Sequence, residues 1–161
     1  MGDIVAIQAG NGDTRLFFQD STGDILEWGV TGVFTTGHNE GSSVLVPANE
    51  VLPHTPIVAI TANTAAYTAV RLYFLSPDYI LSEYIWPTTI ATSRIGFMGG
   101  PSCTACLTAQ GIVASSSEVL YAMANAAFNQ FRVGFISPGE PTTLSEAENL
   151  GSGWQVATYP N

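Results

Sequence analysis

Apolar positions in this chain fall in short runs broken by Gly, Pro, Asn, Asp and Ser, and sustained helical periodicity is nearly absent. Such runs, bounded by turn residues, predict buried strands. The first is Ile4-Val5-Ala6-Ile7. It is followed by Thr14-Arg15-Leu16-Phe17-Phe18-Gln19, by Ile25-Leu26-Glu27-Trp28 and by Val33-Phe34-Thr35-Thr36. Asp20-Ser21-Thr22-Gly23-Asp24 has hairpin-turn chemistry and joins the second run to the third. Residues 144–150, Leu-Ser-Glu-Ala-Glu-Asn-Leu, offer a helical turn as an alternative to strand.

The same series recurs. Ile57-Val58-Ala59-Ile60 is followed by Val70-Arg71-Leu72-Tyr73-Phe74-Leu75, the turn Ser76-Pro77-Asp78, Leu81-Ser82-Glu83-Tyr84 and Ile95-Gly96-Phe97-Met98. Arg71 lies 56 positions after Arg15, and each arginine has a glutamate 12 positions on, Glu27 and Glu83. A weaker third copy reads as Thr104-Ala105-Cys106-Leu107, Ser117-Glu118-Val119-Leu120-Tyr121, Phe128-Asn129-Gln130-Phe131 and finally Trp154-Gln155-Val156-Ala157-Thr158-Tyr159. In that alignment Glu118 replaces the arginine and Gln130 the glutamate. Repeats of about 50 residues, each a four-stranded antiparallel meander, have the size of a β-propeller blade. The expected fold is therefore all-β: one domain of three blades, at about 1–50, 51–100 and 101–161. Three blades do not close a ring, since propellers typically have 4–8. A homodimer completing six blades would cover both open ends. The alternative is an open three-unit β domain capped by loops.

Composition narrows the partners. Of 161 residues 46% are hydrophobic and only 11% charged, the net charge is −9, and the four cations are Arg15, Arg71, Arg94 and Arg132. Without clustered Lys and Arg, neither nucleic acid nor an anionic membrane is expected as partner. No apolar run approaches a membrane span. Met1-Gly2-Asp3-Ile4 lacks the start of a signal peptide, which predicts a cytoplasmic or non-classically secreted protein. Cys103 and Cys106 form one C-x-x-C with no second pair, so no zinc site and no cofactor is expected. In a strand residues three apart point to opposite faces, so the two cysteines read as buried small side chains, with redox chemistry as the alternative.

The Arg/Glu couples carry the candidate chemistry. A cross-strand ion pair is their structural reading. Their functional reading is a paired donor and acceptor for neighbouring sugar hydroxyls, because guanidinium donates in a fixed plane and carboxylate only accepts. A sugar's apolar face then calls for an aromatic plane, and Trp86, Phe97 and Trp154 are the candidates.

The segments around Arg15, Glu27, Arg71 and Glu83, with Glu83-Tyr84-Ile85-Trp86 and Thr55-Pro56-Ile57-Val58-Ala59-Ile60, resemble the fungal fucose-specific lectin family of the Aleuria aurantia lectin type, which has a bacterial branch of two-bladed chains. The resemblance implies a six-bladed propeller with sugar sites between adjacent blades. It implies a lectin for L-fucose or fucosylated glycans. One site would use Arg15 and Glu27 with Trp86 and Phe97, and another Arg71 and Glu83 with Trp154. The third unit's site would be dead, giving up to four sites per dimer. Val30, Phe34 and Val133 stand where the family usually has tryptophans.

Two other classes compete. A glycoside-processing enzyme needs a carboxylic acid of raised pKa, whereas an arginine beside each glutamate is expected to hold it low. His38 and His54 fall in polar segments with no nucleophile partner, so no catalytic residue is assigned. A protein-interaction propeller would also show repeats but would not need recurring Arg/Glu couples.

Overall fold

The computed structural model describes residues 3–33, 35–89, 95–116 and 119–159, with the side chains of 88, 89 and 95 left aside. It is built of three four-stranded antiparallel sheets, each a meander whose spatial order follows the sequence. Sheet one holds β1 (Ile4–Gln8), β2 (Thr14–Gln19), β3 (Ile25–Thr31) and β4 (His38–Val46). Sheet two holds β5 (Val58–Thr61), β6 (Val70–Leu75), β7 (Leu81–Thr89) and β8 (Ile95–Gly99). Sheet three holds β9 (Leu120–Ala124), β10 (Phe131–Phe135), β11 (Ser145–Asn149) and β12 (Trp154–Thr158). The innermost strands β1, β5 and β9 are successive neighbours, so the sheets fan out from a common axis.

Side-chain alternation on β6 shows how the layers are held together. Val70, Leu72 and Phe74 point into a core shared with Ile7, Phe17, Ile25 and Val46 of sheet one. Tyr73 and Leu75 point the other way, into a core shared with Val133, Phe135 and Ala147 of sheet three. A strand buried on both faces reads as a nearly unbroken apolar run, as Val70–Leu75 does.

The end sheets have no such cover. Leu16, Phe18, Leu26, Trp28, Ile4 and Val44 lie on the face of sheet one that points away from sheet two, with Ile4 66% and Val44 56% exposed. Leu16 and Phe18 hold the register positions of Leu72 and Phe74, which are fully buried in sheet two. The far face of sheet three carries Tyr121, Met123, Arg132, Glu146 and Glu148.

Several expectations are corrected. The outer strand of sheet one is not Val33 to Thr36: Phe34 lies outside the described residues, and Gly37 N donates to Val33 O at 2.7 Å in a turn. The true strand, β4, is a polar and largely exposed segment, so it carries no apolar signal. His38 is its first residue. Residues 104–107 are not a strand. They lead into a 3-10 turn at Leu107–Gln110, and Cys103 and Cys106, with Cα atoms 5.4 Å apart, form a disulfide. Both cysteines are buried, as expected, but bonded. The helical alternative at 144–150 is not realised; Ser145–Asn149 is β11.

The third unit is also re-registered. Glu118 lies outside the described residues, and Gln130 is exposed at the β9–β10 turn. The residue opposite Met123 on the second strand is Arg132, just as Arg15 is opposite Ile7 and Arg71 opposite Ile60. The matching acid is Glu146, opposite Gly134 as Glu27 is opposite Phe17 and Glu83 opposite Tyr73. Arg132 and Glu146 are 14 positions apart because the connection 136–144 is longer than its counterparts 20–24 and 76–80. All three units therefore keep the couple, and the alignment that put Glu118 and Gln130 in its place in the third unit is corrected.

Candidate functional site

The first couple sits at an opening between sheets one and two. Arg15 and Glu27 share a face because Arg15 is paired with Gly29, two residues from Glu27. Arg15 Nε lies 3.4 Å from Glu27 Oε1, and Nη1 lies 2.7 Å from Glu40 Oε2. The guanidinium lies close over Gly29. A Cβ there would come within 2.7 Å of Nη1 and 2.6 Å of Glu40 Oε2, so glycine makes the approach possible. Glu40 reaches inward from an irregularity in the β3–β4 pairing beside Gly29 and Val30.

Sheet two supplies the opposite wall. Arg15, Glu27, Tyr67, Trp86 and Phe97 line one cavity of about 340 Å³. This is within the usual size of small-molecule sites, ~300–1,000 Å³. The Arg15 Cζ is 5.3 Å from the centre of the Tyr67 ring, within cation–π range. Tyr67 is fixed by its hydroxyl, 2.7 Å from Ile7 O and 2.8 Å from Asp13 O. Phe97 is held edge-on to Phe17, with centroids 6.2 Å apart. A second recess of about 200 Å³, lined by Glu40, Gly41 and Ser42 among others, shares Arg15 and Glu27 with the first.

Burial pushes the Glu27 carboxyl above its ordinary 4.5; Arg15 opposes this and Glu40 adds to it. The expected depression by arginine is thus outweighed by desolvation. Arg15 is the only partner of Glu27 among the described residues, and at 3.4 Å it leaves most of the carboxylate's accepting capacity unused.

The second couple is closed. Glu83 is fully buried and ion-paired with Arg71, while its other oxygen accepts from Leu107 N at 2.7 Å. The aromatic ring over Arg71 is Phe131, 3.7 Å from Cζ. The expected platform, Trp154, packs into the core between sheets two and three. Its Nε1 and the Tyr73 hydroxyl are buried without a hydrogen-bond partner. The Tyr73 hydroxyl is pushed well above its ordinary pKa by burial and by the Glu83 charge.

The third couple is saturated and faces outward. Arg132 Nε donates to Glu146 Oε2 at 2.7 Å, and Nη2 bonds to the same oxygen and to the Tyr159 hydroxyl. Glu148 lies 3.3 Å from Arg132 Nε, and Tyr121 donates its hydroxyl to Glu146. The Tyr121 ring occupies the space left by Gly134. Burial raises the Glu146 pKa, but the bonds from Tyr121 and Arg132 outweigh it and the net shift is downward.

The structure thus brings Arg15, Glu27, Trp86 and Phe97 together along one cavity. It places Arg71 with Glu83 but sets Trp154 into the core. Sequence reasoning missed Tyr67, Glu40, Arg132 and Glu146. Arg132 had a usable signal: one of four cations, set between Phe131 and Val133 much as Arg71 is set between Val70 and Leu72. Arg94 lies outside the described residues.

No protein-family model matches the chain, and no curated protein matches it. Solved structures do. AofleA from Arthrobotrys oligospora superposes with a TM-score of 0.76 at 23% identity, over 98% of this chain and 41% of that one. The fungal lectin of Aleuria aurantia, a six-bladed β-propeller that recognises fucose, gives a TM-score of 0.68 at 22% identity, over 97% of this chain and 47% of that one. A fucose lectin from Kordia zhangzhouensis, solved with methyl-fucoside, gives 0.62 at 18% identity, over 99% of this chain and 100% of that one. The chain spans less than half the length of the two fungal proteins and the whole length of the third. Three fanned four-stranded sheets that superpose on one half of a six-bladed ring make this chain a half propeller.

Proposed function

We propose that the protein is a lectin for L-fucose or fucosylated glycans, and that its open site is the cavity between sheets one and two. The observation that carries this reading is the juxtaposition of an under-used Arg15–Glu27 couple with Trp86, Phe97 and Tyr67 across an opening. Guanidinium N–H groups donate to ring hydroxyls, and the free lone pairs of Glu27 accept from them. Trp86 and Phe97 cover the apolar face of the sugar. The reading is binding without turnover, and it holds although burial raises the Glu27 carboxyl pKa, so it is tested against cleavage as well as binding. Titration with methyl-α-L-fucoside is expected to give saturable binding at one site per chain, and a chromogenic fucoside is expected to remain uncleaved. Failure of any fucoside to bind would overturn the assignment.

We further propose that two copies close a six-bladed ring. Leu16, Phe18 and Trp28 sit on an open face at the register positions that Leu72, Phe74 and Tyr84 occupy inside the sheet-one/sheet-two contact. Sheet three of a second copy would cover that face as sheet one covers sheet two. Each large apolar side chain taken from water contributes ~1.5–3 kcal/mol, and two-fold symmetry repeats the contact. The matching length of the Kordia zhangzhouensis lectin chain supports a half-ring as a natural unit.

A further inference from the structure

The linker between sheets two and three does more than connect them. Pairing of β7 with β8 stops at Tyr84 and Gly99, so the earlier residues of β7 have no strand partner on that side. The linker takes β8's place. Leu81 N donates to Ile112 O at 2.9 Å, and Glu83 N donates to Thr108 Oγ1 at 2.9 Å. Leu107 N donates to Glu83 Oε2 at 2.7 Å. In sheet one the equivalent position, Glu27, is flanked by Ser43 of the continuous strand β4, and no linker amide reaches its carboxylate among the described residues.

The residue that pins Glu83 directly follows the disulfide. Cys103 N donates to Gly100 O at 3.1 Å, Cys106 N donates to Cys103 O at 3.3 Å, and the Cys103–Cys106 bond closes this loop one residue before Leu107. With the loop closed, the Leu107 amide has little freedom to leave Glu83. Glu83 is then held by Arg71 on one oxygen and by Leu107 on the other, and it is fully buried. Two buried donors between the same two sheets, the Tyr73 hydroxyl and Trp154 Nε1, remain unpartnered. A buried donor without a partner is unfavourable, and a ligand hydroxyl is the kind of group that would relieve it.

We propose that the Cys103–Cys106 bridge is a redox latch that keeps a second fucoside site, built on Arg71, Glu83, Tyr73 and Trp154, shut in the oxidised protein and opens it on reduction. The proposal rests on the fucose reading of the first site. The reductant is a dithiol. One of its thiolates attacks one cysteine sulfur, breaking the S–S bond and forming a mixed disulfide while the other cysteine leaves as thiolate and is protonated. The second thiol of the reagent then displaces the remaining cysteine. Two electrons and two protons have passed to the chain, and the reagent has become a cyclic disulfide. Both sulfurs are buried, so attack waits on local opening of the linker. With two thiols in place of the bond, the covalent restraint next to Leu107 is gone; its amide leaves Glu83 by a shift of the 103–107 segment that also moves the buried Leu107 side chain, and one Glu83 oxygen becomes available to a ligand.

The test counts methyl-α-L-fucoside equivalents by titration calorimetry, with the redox state fixed by alkylation and mass measurement. Oxidised wild type is expected to bind one equivalent per chain, and the dithiothreitol-reduced protein two. Arg15→Ala, lacking the first site, is expected to bind none when oxidised and one when reduced. Cys103→Ser/Cys106→Ser should match the reduced protein. Leu107→Pro should open the site without touching the cysteines. Proline suits the first position of a 3-10 turn, and Cys106 before it is already extended at φ −82° and ψ 162°. Adding Arg71→Ala should abolish whatever equivalent reduction gains. One equivalent in both states, or two in the oxidised protein, would overturn the latch and leave the first site standing. No binding in either state would overturn the fucose reading itself.

Discussion

Replacing Arg15 by alanine tests the binding account most sharply, because the structure sets the size of its effect. Arg15 faces Glu27 and Glu40 at 3.4 and 2.7 Å and is 23% exposed, so its ion pairs are partly screened. Pairs of that kind contribute about 0–1 kcal/mol to stability. The fold should therefore survive. The loss in binding is larger. Each charge-assisted hydrogen bond to a sugar hydroxyl contributes ~1.5–3 kcal/mol, and 1.4 kcal/mol is about a factor of ten. Losing one such bond gives about 10–150-fold weaker binding, and losing two takes it beyond most assays. The change also strips Glu27 of its counter-charge, raising its pKa further and weakening it as an acceptor. Calorimetric titration of methyl-α-L-fucoside into wild type and Arg15→Ala, with melting curves alongside, measures both quantities. A variant that melts like wild type and binds within threefold of it would refute the reasoning.

Three other outcomes follow from the same geometry. Gly29→Ala should weaken fucoside binding about tenfold, since its Cβ displaces the Arg15 guanidinium from 2.7 Å; affinity by titration checks it. Glu27 has a folded pKa above its ordinary 4.5, so its ionisation opposes folding. Stability should fall as pH rises from 4.5 through the folded value and then level off, a component that denaturant melts should find missing in Glu27→Gln. Fucoside affinity should move the opposite way, declining as pH drops through that raised pKa. Trp28→Asp with Leu16→Asp should abolish the proposed dimer and leave a compact monomer in sedimentation velocity, while the first cavity, which lies wholly within one chain, keeps its fucoside affinity.

The first two sheets were legible because their hairpins are alike. Connections 20–24 and 76–80 keep both Arg-to-Glu separations the same, so the repeat shows at once. The third unit slipped because two changes coincide. A disulfide-bearing linker separates β8 from β9, and the β10–β11 connection is longer, so a search at fixed spacing lands on Glu118 and Gln130 instead of Arg132 and Glu146. The strand β4 was hidden because an exposed outer strand needs no apolar face. In the site, Trp86 and Phe97 were found through their repeat positions. Tyr67 comes from a loop and Glu40 from a pairing irregularity, and neither leaves a periodic trace. The closure of the second couple was not readable either, since it depends on a backbone amide, Leu107 N, that carries no residue code.

The most direct test of the central claim is a crystal structure of the protein grown with methyl-α-L-fucoside. The account predicts one sugar ring between sheets one and two, its hydroxyls on Arg15 and Glu27 and its apolar face on Trp86 and Phe97. A sugar held elsewhere on the chain, with that cavity filled only by solvent at saturating fucoside, would contradict it.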